Sequence, residues 1–550
     1  MLRNYRYYIQ QKGFDPGQFD IFLIDKGQRR IDNEKGFMGR TNDQGGFVMS
    51  VRVRFAPSPT GLLHIGGARS ALFNYLFATG QGGCLILRSE DTDLARSRLE
   101  YEESIADALF WLGITWQEGL RVGGESAPYR QSERLDIYRR YLEKLAGLGY
   151  VYECFCSEEE LEAQRQDLSE RGESPRYSGR CASLSEQEKA LKRDQGIKPA
   201  LRFRVRPGAP LLFADAVRGT IGFDRNGIGD FIIMKSDGVP TYNFAVVIDD
   251  LEMKVTHVVR GEEHLSNTPC QLLIWEALGF TPPQYAHISL ILNSEGKKMS
   301  KRDGDTSVAY YRDQGYLPEA VLNFLVLLGW SPTGDQEILT LAELKEQFSL
   351  ARVSKAPAVF DRDKLDYMNS CYIRSRKGEE LAELLLPFVQ RAGLFADRTS
   401  WAGLESRERE WLAVFAEAVK ERIKTLGEAG QYIDLFRGAE IRSFEEEARE
   451  VLRGANARVV LEAFRRMVEA APALNQMGEL NQMGELDSAA AAAKTMMKQL
   501  GKDLGLKGKD VFMPLRAGVT GQMHGPDLDK ILALLGKEDI LARLEKTLSL

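Results

Sequence analysis

No run of apolar residues in this chain approaches the roughly 20 that a membrane-spanning helix needs, which excludes a helical membrane anchor. Cysteine is scarce: the six are Cys84, Cys154, Cys156, Cys181, Cys270 and Cys371 in 550 residues. That density excludes a disulfide framework and points to a reducing compartment, the cytoplasm by default. Positive charge is not in excess, with 73 Lys and Arg against 79 Asp and Glu and a formal net charge of -6. A protein that coats nucleic acid with its whole surface is therefore excluded, and any RNA contact must come from a local basic surface on an acidic body. The first 48 residues lack sustained periodicity, and they contain the acidic residues that a mitochondrial transit peptide avoids.

With 43% hydrophobic and 28% charged residues, the composition is that of a soluble globular protein. A length of 550 residues predicts three to five domains at roughly 150 residues each. Pattern sharpens at Met49, where Val51, Val53 and Phe55 alternate with Arg52 and Arg54 as in a half-buried strand. Gln44-Gly45-Gly46 requires a CAR-GGN-GGN coding stretch, which resembles a bacterial ribosome-binding site, and Met49 follows two codons later. Residues 1–48 are thus expected to be a mis-called or disordered extension, with a real accessory tail as the alternative. N-terminal sequencing of protein expressed from the native locus should return Met49, and a mature chain beginning at Met1 contradicts this.

After the strand, Ala56-Pro57-Ser58-Pro59-Thr60-Gly61 reads as a turn, followed by His64-Ile65-Gly66-Gly67 and a helix with Ala68, Leu72, Tyr75 and Leu76 on one face. Gly80 is a plausible stop. A Gly-rich loop between strand and helix exposes backbone amides at a helix N-terminus, where the helix dipole favours phosphate. Cys84 to Leu87 reads as a second buried strand, with the charged run Arg88 to Asp93 at its C-terminal edge, where open α/β sheets bind ligands. A second strand-loop-helix unit runs from Thr256 to Gly279, with Thr268 as a candidate cap, Pro269 in the first turn, and Cys270, Leu273, Ile274, Ala277 and Leu278 on one face. Two α/β halves so far apart predict a nucleotide-binding sheet interrupted by an inserted domain. Downstream, Gly296-Lys297-Lys298-Met299-Ser300-Lys301-Arg302-Asp303-Gly304 packs four cations into a glycine-flanked loop. From about Pro283 the pattern becomes mainly helical, with Pro318 opening a helix through Leu328.

Pro57-Ser58-Pro59-Thr60-Gly61 with His64-Ile65-Gly66, and Lys298-Met299-Ser300-Lys301-Arg302 downstream, resemble the paired signatures of class I aminoacyl-tRNA synthetases. Arg54-Phe55-Ala56-Pro57, Glu90-Asp91-Thr92-Asp93, Gly238 to Asn243 and Arg260-Gly261-Glu262-Glu263 resemble the bacterial glutamyl-tRNA synthetase family specifically, from about Met49 to the end. Gly67 stands where the first signature usually carries a second histidine, a departure the glutamyl branch often shows.

The resemblance implies a class I Rossmann-like catalytic domain in two parts, 49–126 and 240–282, split by an α+β acceptor-binding insertion at 127–239. A stem-contact domain at 283–375, carrying the basic loop, and helical anticodon-binding domains at 376–550 complete the expectation. It implies a ligase that activates glutamate with ATP and Mg2+, then transfers it to the 3′-terminal adenosine of the tRNA for glutamate, acting as a cytoplasmic monomer. Pro57, Ser58, His64, Gly66, Gly67, Lys298, Met299, Ser300, Lys301 and Arg302 match ATP-binding positions, with His64, Lys298 and Lys301 in the catalytic role. Arg54, Tyr242 and Arg260 match positions that grip the γ-carboxylate, and Glu90 the one that receives the α-ammonium.

In Leu201-Arg202-Phe203-Arg204-Val205-Arg206 the alternation predicts a strand that presents Arg202, Arg204 and Arg206 on one face, either toward tRNA or as a solvated charged face. Cys154, Cys156 and Cys181 resemble a zinc knob found in some relatives, but Ser183 holds the fourth position, so no zinc is expected. Residues 475–480 and 481–486 are identical copies of Asn-Gln-Met-Gly-Glu-Leu, too short for a solenoid repeat. A glutaminyl-tRNA synthetase would end in β-barrels, a tRNA-modifying glutamyl transferase would stop after the core, and a non-catalytic descendant would have lost His64 or the loop lysines.

Overall fold

Val53 and Phe55 draw Arg52–Phe55 into a strand, β1, but Arg54 between them is buried as well. The expected half-buried strand is covered on both faces, as a parallel sheet between helices requires. The computed structural model describes residues 50–173, 176–299, 306–471 and 485–550, and the expected extension and nearly all of the tandem copy lie outside them. The helix Ile65–Gly80 follows, then β2, Cys84–Leu87, parallel to β1 with Phe55 opposite Leu87. The short β3, Glu118–Gly119, pairs with β2. Gly119 (φ 127°) lies so close to β2 that an added Cβ would come within 2.2 Å of the Leu87 carbonyl oxygen, which only glycine permits.

The inserted segment builds a separate antiparallel sheet from β4, Val151–Cys154, and β5, Ala200–Phe203. A hairpin of β6, Leu211–Asp215, and β7, Gly219–Phe223, then leaves that sheet, and β8, Phe231–Met234, returns to pair with β5. The catalytic sheet resumes with the helix Tyr242–Glu252 and β9, His257–Gly261, followed by the helix Thr268–Leu278 and β10, Gln284–Ile288. β10 lies between β9 and β6, parallel to both, so the hairpin from the insertion extends the catalytic sheet. This strand falls within the region expected to be mainly helical.

The two halves adjoin at their N-terminal ends. The Arg52 amide donates to Thr256 Oγ1 at 2.8 Å and the Thr256 amide to the Arg52 carbonyl at 2.8 Å. The sheet β3-β2-β1 and the sheet β9-β10-β6-β7 thus adjoin through β1 and β9, and the chain's direction of growth reverses between these two strands, the switch point where doubly wound sheets bind ligands at their C-terminal ends. Arg54 and Arg260 stand on the two strands that flank it.

Beyond the sheet the short strands β11, Ile291–Leu292, and β12, Ala358–Val359, pair in parallel, and the rest is helical. The helix Pro318–Leu327 starts on its proline as predicted, and the helices from Gly378–Arg391 to Leu528–Leu548 share a second apolar core around Trp411 and Phe415. No helix among the described residues is long and apolar enough to cross a membrane.

Candidate active site

Two loops distant in sequence meet beside β1. His64 caps the helix Ile65–Gly80, and its Nδ1 accepts from the Gly67 amide at 3.1 Å. That bond puts the proton of the neutral ring on Nε2, as a donor. A Cβ at Gly66 would sit 3.1 Å from the His64 ring and one at Gly67 3.0 Å from Leu63 Cδ1, so the two glycines make room for the ring to fold over the helix end. Within the preceding turn the Pro57 carbonyl accepts from the Glu90 amide at 3.0 Å and the Ser58 carbonyl from the Thr60 amide at 2.8 Å.

The basic loop leaves β11 with Lys298 bridged to Leu292 and the Met299 amide donating to the Ile291 carbonyl at 3.1 Å. Met299 packs on the catalytic core while Lys298 is exposed. Ser300, Lys301 and Arg302 lie outside the described residues. Where the described chain resumes, the Ile65 amide donates to the Thr306 carbonyl at 2.9 Å and the Val308 amide to the Leu63 carbonyl at 2.8 Å. The segment from Thr306, downstream of the basic loop, is thus fastened to the loop that carries His64. A helix N-terminus, an imidazole donor and a basic loop together favour a polyphosphate.

Arg54, Glu90, Tyr242 and Arg260 share one electrostatic neighbourhood: burial pushes the Tyr242 hydroxyl up while Arg260 and Arg54 pull it down and Glu90 adds to the rise. Their immediate partners are residues that sequence reading did not single out. Arg54 Nε sits 3.2 Å from Asp250 Oδ1, and the fully buried Arg88 reaches Asp250 at 2.9 Å and Glu90 at 3.2 Å. Asp249, beside it on the helix Tyr242–Glu252, accepts from Arg134 at 2.7 Å and from Tyr138 at 2.9 Å. Burial raises the Asp250 carboxyl, but Arg54 and Arg88 more than offset it and hold it below the usual carboxylate range. Burial raises Glu90 despite Arg88 and Arg54.

Arg260 is different. It is 5% exposed, its Nε donates to His287 Nε2 at 3.1 Å and its Nη2 to Thr268 Oγ1 at 2.9 Å, while Nη1 is buried without a hydrogen-bond partner among the described residues. Thr268 therefore serves this arginine rather than the expected cap, which falls to Asn267. A buried guanidinium among neutral acceptors is costly until an anion reaches it. Tyr242 Oη lies 3.2 Å from His264 Nδ1, and burial together with the Arg260 charge holds that imidazole down at about 4.

The arginines of the insertion are not presented together at the surface as the alternation predicted. β5 ends at Phe203, and Arg202 is buried, with Nε 3.1 Å from Cys154 Sγ and its guanidinium 3.7 Å over the Tyr177 ring. Arg204 is half-buried over Tyr152, and only Arg206, over Tyr150, is exposed. Alternation gave the side on which these residues emerge but not what covers it. The sulfurs of Cys154, Cys156 and Cys181 lie within 4.8 Å of one another, with no further His, Cys, Asp or Glu in the group among the described residues. Ser183 turns its hydroxyl to the Arg180 carbonyl at 3.1 Å, and the Arg202 cation already faces Cys154. Three thiols without a fourth ligand do not complete a tetrahedral structural zinc site.

One signal for the missed residues was available: Asp249-Asp250 interrupts the apolar run Phe244 to Leu251, and two adjacent acids in a buried helix demand cationic partners. The catalytic domain of class I tRNA synthetases (E and Q) matches residues 50–367, and an anticodon binding domain matches 380–548. The glutamate–tRNA ligase of Desulfitobacterium hafniense is 50% identical over 500 residues, covering 91% of this chain and 99% of that protein. That of Desulforamulus reducens is 51% identical over 500 residues, covering 91% and 100%. A crystal structure of a glutamate tRNA ligase from Elizabethkingia meningosepticum, in complex with its amino acid, is similar with a TM-score of 0.78 at 35% identity, covering 91% of this chain and 99% of that one.

Proposed function

Because this chain belongs to the glutamate–tRNA ligase family of class I aminoacyl-tRNA synthetases, we propose that Arg260 grips the γ-carboxylate of glutamate while His64 and the basic loop hold the reacting phosphates. The enzyme is a ligase that joins glutamate to tRNA. The α-carboxylate attacks the α-phosphorus of ATP and pyrophosphate leaves; a ribose hydroxyl of the terminal adenosine then attacks the adenylate carbonyl and AMP leaves. Neither step needs a covalent enzyme nucleophile. What the first step needs is stabilisation of charge on the α-phosphate and the departing pyrophosphate.

The buried Nη1 of Arg260 carries the reading of the amino-acid site, because a carboxylate completes its hydrogen bonding and neutralises it, whereas a carboxamide does only the first. Arg54 and Tyr242 flank that carboxylate, and Glu90 receives the α-ammonium while Arg88 holds it in place. His64 donates from Nε2 to a phosphate oxygen, and Lys298, Lys301 and Arg302 close over the pyrophosphate with Pro57, Ser58, Gly66, Gly67, Met299 and Ser300 shaping the ATP site. Mg2+ bound with ATP would add positive charge on the phosphates to that supplied by these residues. The insertion at 127–239 takes the acceptor end, with Arg204 and Arg206 near the RNA backbone; the domain at 283–375 contacts the stem, and the helices of 376–550 read the anticodon of the tRNA for glutamate. The enzyme works as a monomer in the cytoplasm.

Replacing His64 by alanine should lower kcat for glutamate-dependent ATP–pyrophosphate exchange, measured with tRNA present, by roughly 10²–10³-fold, with little change in the glutamate KM. A raised glutamate KM with kcat intact would take His64 away from the phosphates.

A further inference from the structure

Arg260, His287 and Asp215 lie side by side on β9, β10 and β6, three neighbouring strands, with His287 directly opposite Arg260 in register. His287 is fully buried, and Asp215 and Arg260 are 4% and 5% exposed. His287 Nδ1 lies 2.6 Å from Asp215 Oδ2, and His287 Nε2 lies 3.1 Å from Arg260 Nε. A guanidinium N–H only donates and a carboxylate only accepts. The two neighbours therefore require one tautomer, with the proton on Nδ1 and a bare Nε2 facing Arg260.

Asp215 is itself held independently of the arginine. Its Oδ1 accepts from the Val217 and Arg218 amides at 3.0 and 2.8 Å, and its Oδ2 from the His287 amide at 3.1 Å. We propose that Asp215 and His287 are positioning residues for amino-acid selection: they clamp one edge of Arg260 through a neutral acceptor, so that its other edge and its full charge are kept for the substrate's side-chain carboxylate. This rests on the reading of Arg260 given above.

The contrast with the two arginines on the neighbouring acidic cluster supports it. Arg54 and Arg88 sit on the carboxylate of Asp250 and are largely neutralised within the protein. An aspartate or glutamate in place of His287 would do the same to Arg260 and remove its preference for a charged ligand. A protonated imidazole would be as harmful, placing a donor and a cation against the guanidinium. Burial and the Arg260 charge guard against it, taking His287 down to about 4 although Asp215 pulls the other way.

The test uses full-length enzyme with tRNA, and measures KM for glutamate and for ATP, discrimination against glutamine, and the unfolding temperature. His287→Asn keeps a donor toward Asp215 but withdraws the acceptor from Arg260. His287→Gln restores an acceptor at the Nε2 position. Asp215→Asn allows the carboxamide to donate to Nδ1, driving the proton to Nε2 and setting donor against donor. The expected result is a glutamate KM raised about 10- to 100-fold in His287→Asn and Asp215→Asn, with the ATP KM unchanged, reduced discrimination against glutamine, and substantial recovery in His287→Gln. Should His287→Asn fail to fold, Asp215→Asn carries the comparison. KM values for both substrates rising together with a fall in unfolding temperature, no recovery in the glutamine variant, or unchanged kinetics would overturn the proposal. Wild-type enzyme that does not activate glutamate at all would instead overturn the underlying assignment of function.

Discussion

Replacing Arg260 by glutamate should lower kcat/KM for glutamate at least about 10³-fold while leaving the ATP KM close to wild type. Removing one partner of a buried, hydrogen-bonded charge pair costs about 2–5 kcal/mol, and reversing the charge adds repulsion to that loss. The repulsion is severe here because no carboxylate among the described residues pairs with Arg260. Its Nε and Nη2 rest on His287 and Thr268, both neutral, and in the proposed site a ligand carboxylate is the anion that pairs with it. Arg260→Gln, which removes charge but not bulk, should fall between the two and narrow the preference for glutamate over glutamine. Kinetics of the two variants within about twofold of wild type would take Arg260 out of the pocket.

A change of comparable size, in stability rather than rate, is expected at Asp250. Asp250→Ala leaves Arg54 and Arg88 facing each other without their shared carboxylate, one fully buried and the other nearly so. Breaking a buried pair from one side costs about 3–5 kcal/mol, which lowers the unfolding temperature of a domain this size by roughly 6–20 °C. The sign of the pH dependence follows from the same contacts. Asp250 is held below its usual range in the folded state, so its contribution is present above the unfolded carboxylate pKa and is lost as pH falls through the lower folded value. The variant should therefore lose less stability on acidification than the wild type. Calorimetry at neutral and acidic pH checks both statements, and an unchanged midpoint at neutral pH would contradict the assignment of Asp250 as the hub of the cluster.

What could be read without coordinates was what local pattern determines. The strand Cys84–Leu87 and the helices that end on Gly80 and begin on Pro318 were all legible, because apolar spacing and the backbone preferences of glycine and proline act over a few residues. The two loops proposed to bind phosphate were legible as unusual chemistry, a histidine at a Gly-rich helix start and four cations between glycines. The support for Arg260 was not. Asp215, His287 and Thr268 come from three separate stretches, and the juxtaposition arises only when a hairpin of the insertion joins the edge of the catalytic sheet beside β10. That strand, Gln-Tyr-Ala-His-Ile, is short and has no clean alternation, so periodicity passed over it. Arg202 failed for a related reason: its place in an alternating strand could not reveal that Tyr177 and Cys154 cover it.

The proposed site selects glutamate by its charged γ-carboxylate for transfer to tRNA. Its most direct test is ATP-dependent attachment of labelled glutamate and, separately, labelled glutamine to purified glutamate tRNA. Glutamate should be attached and glutamine should not; attachment of glutamine at a comparable rate, or no attachment of glutamate, would contradict the proposed site.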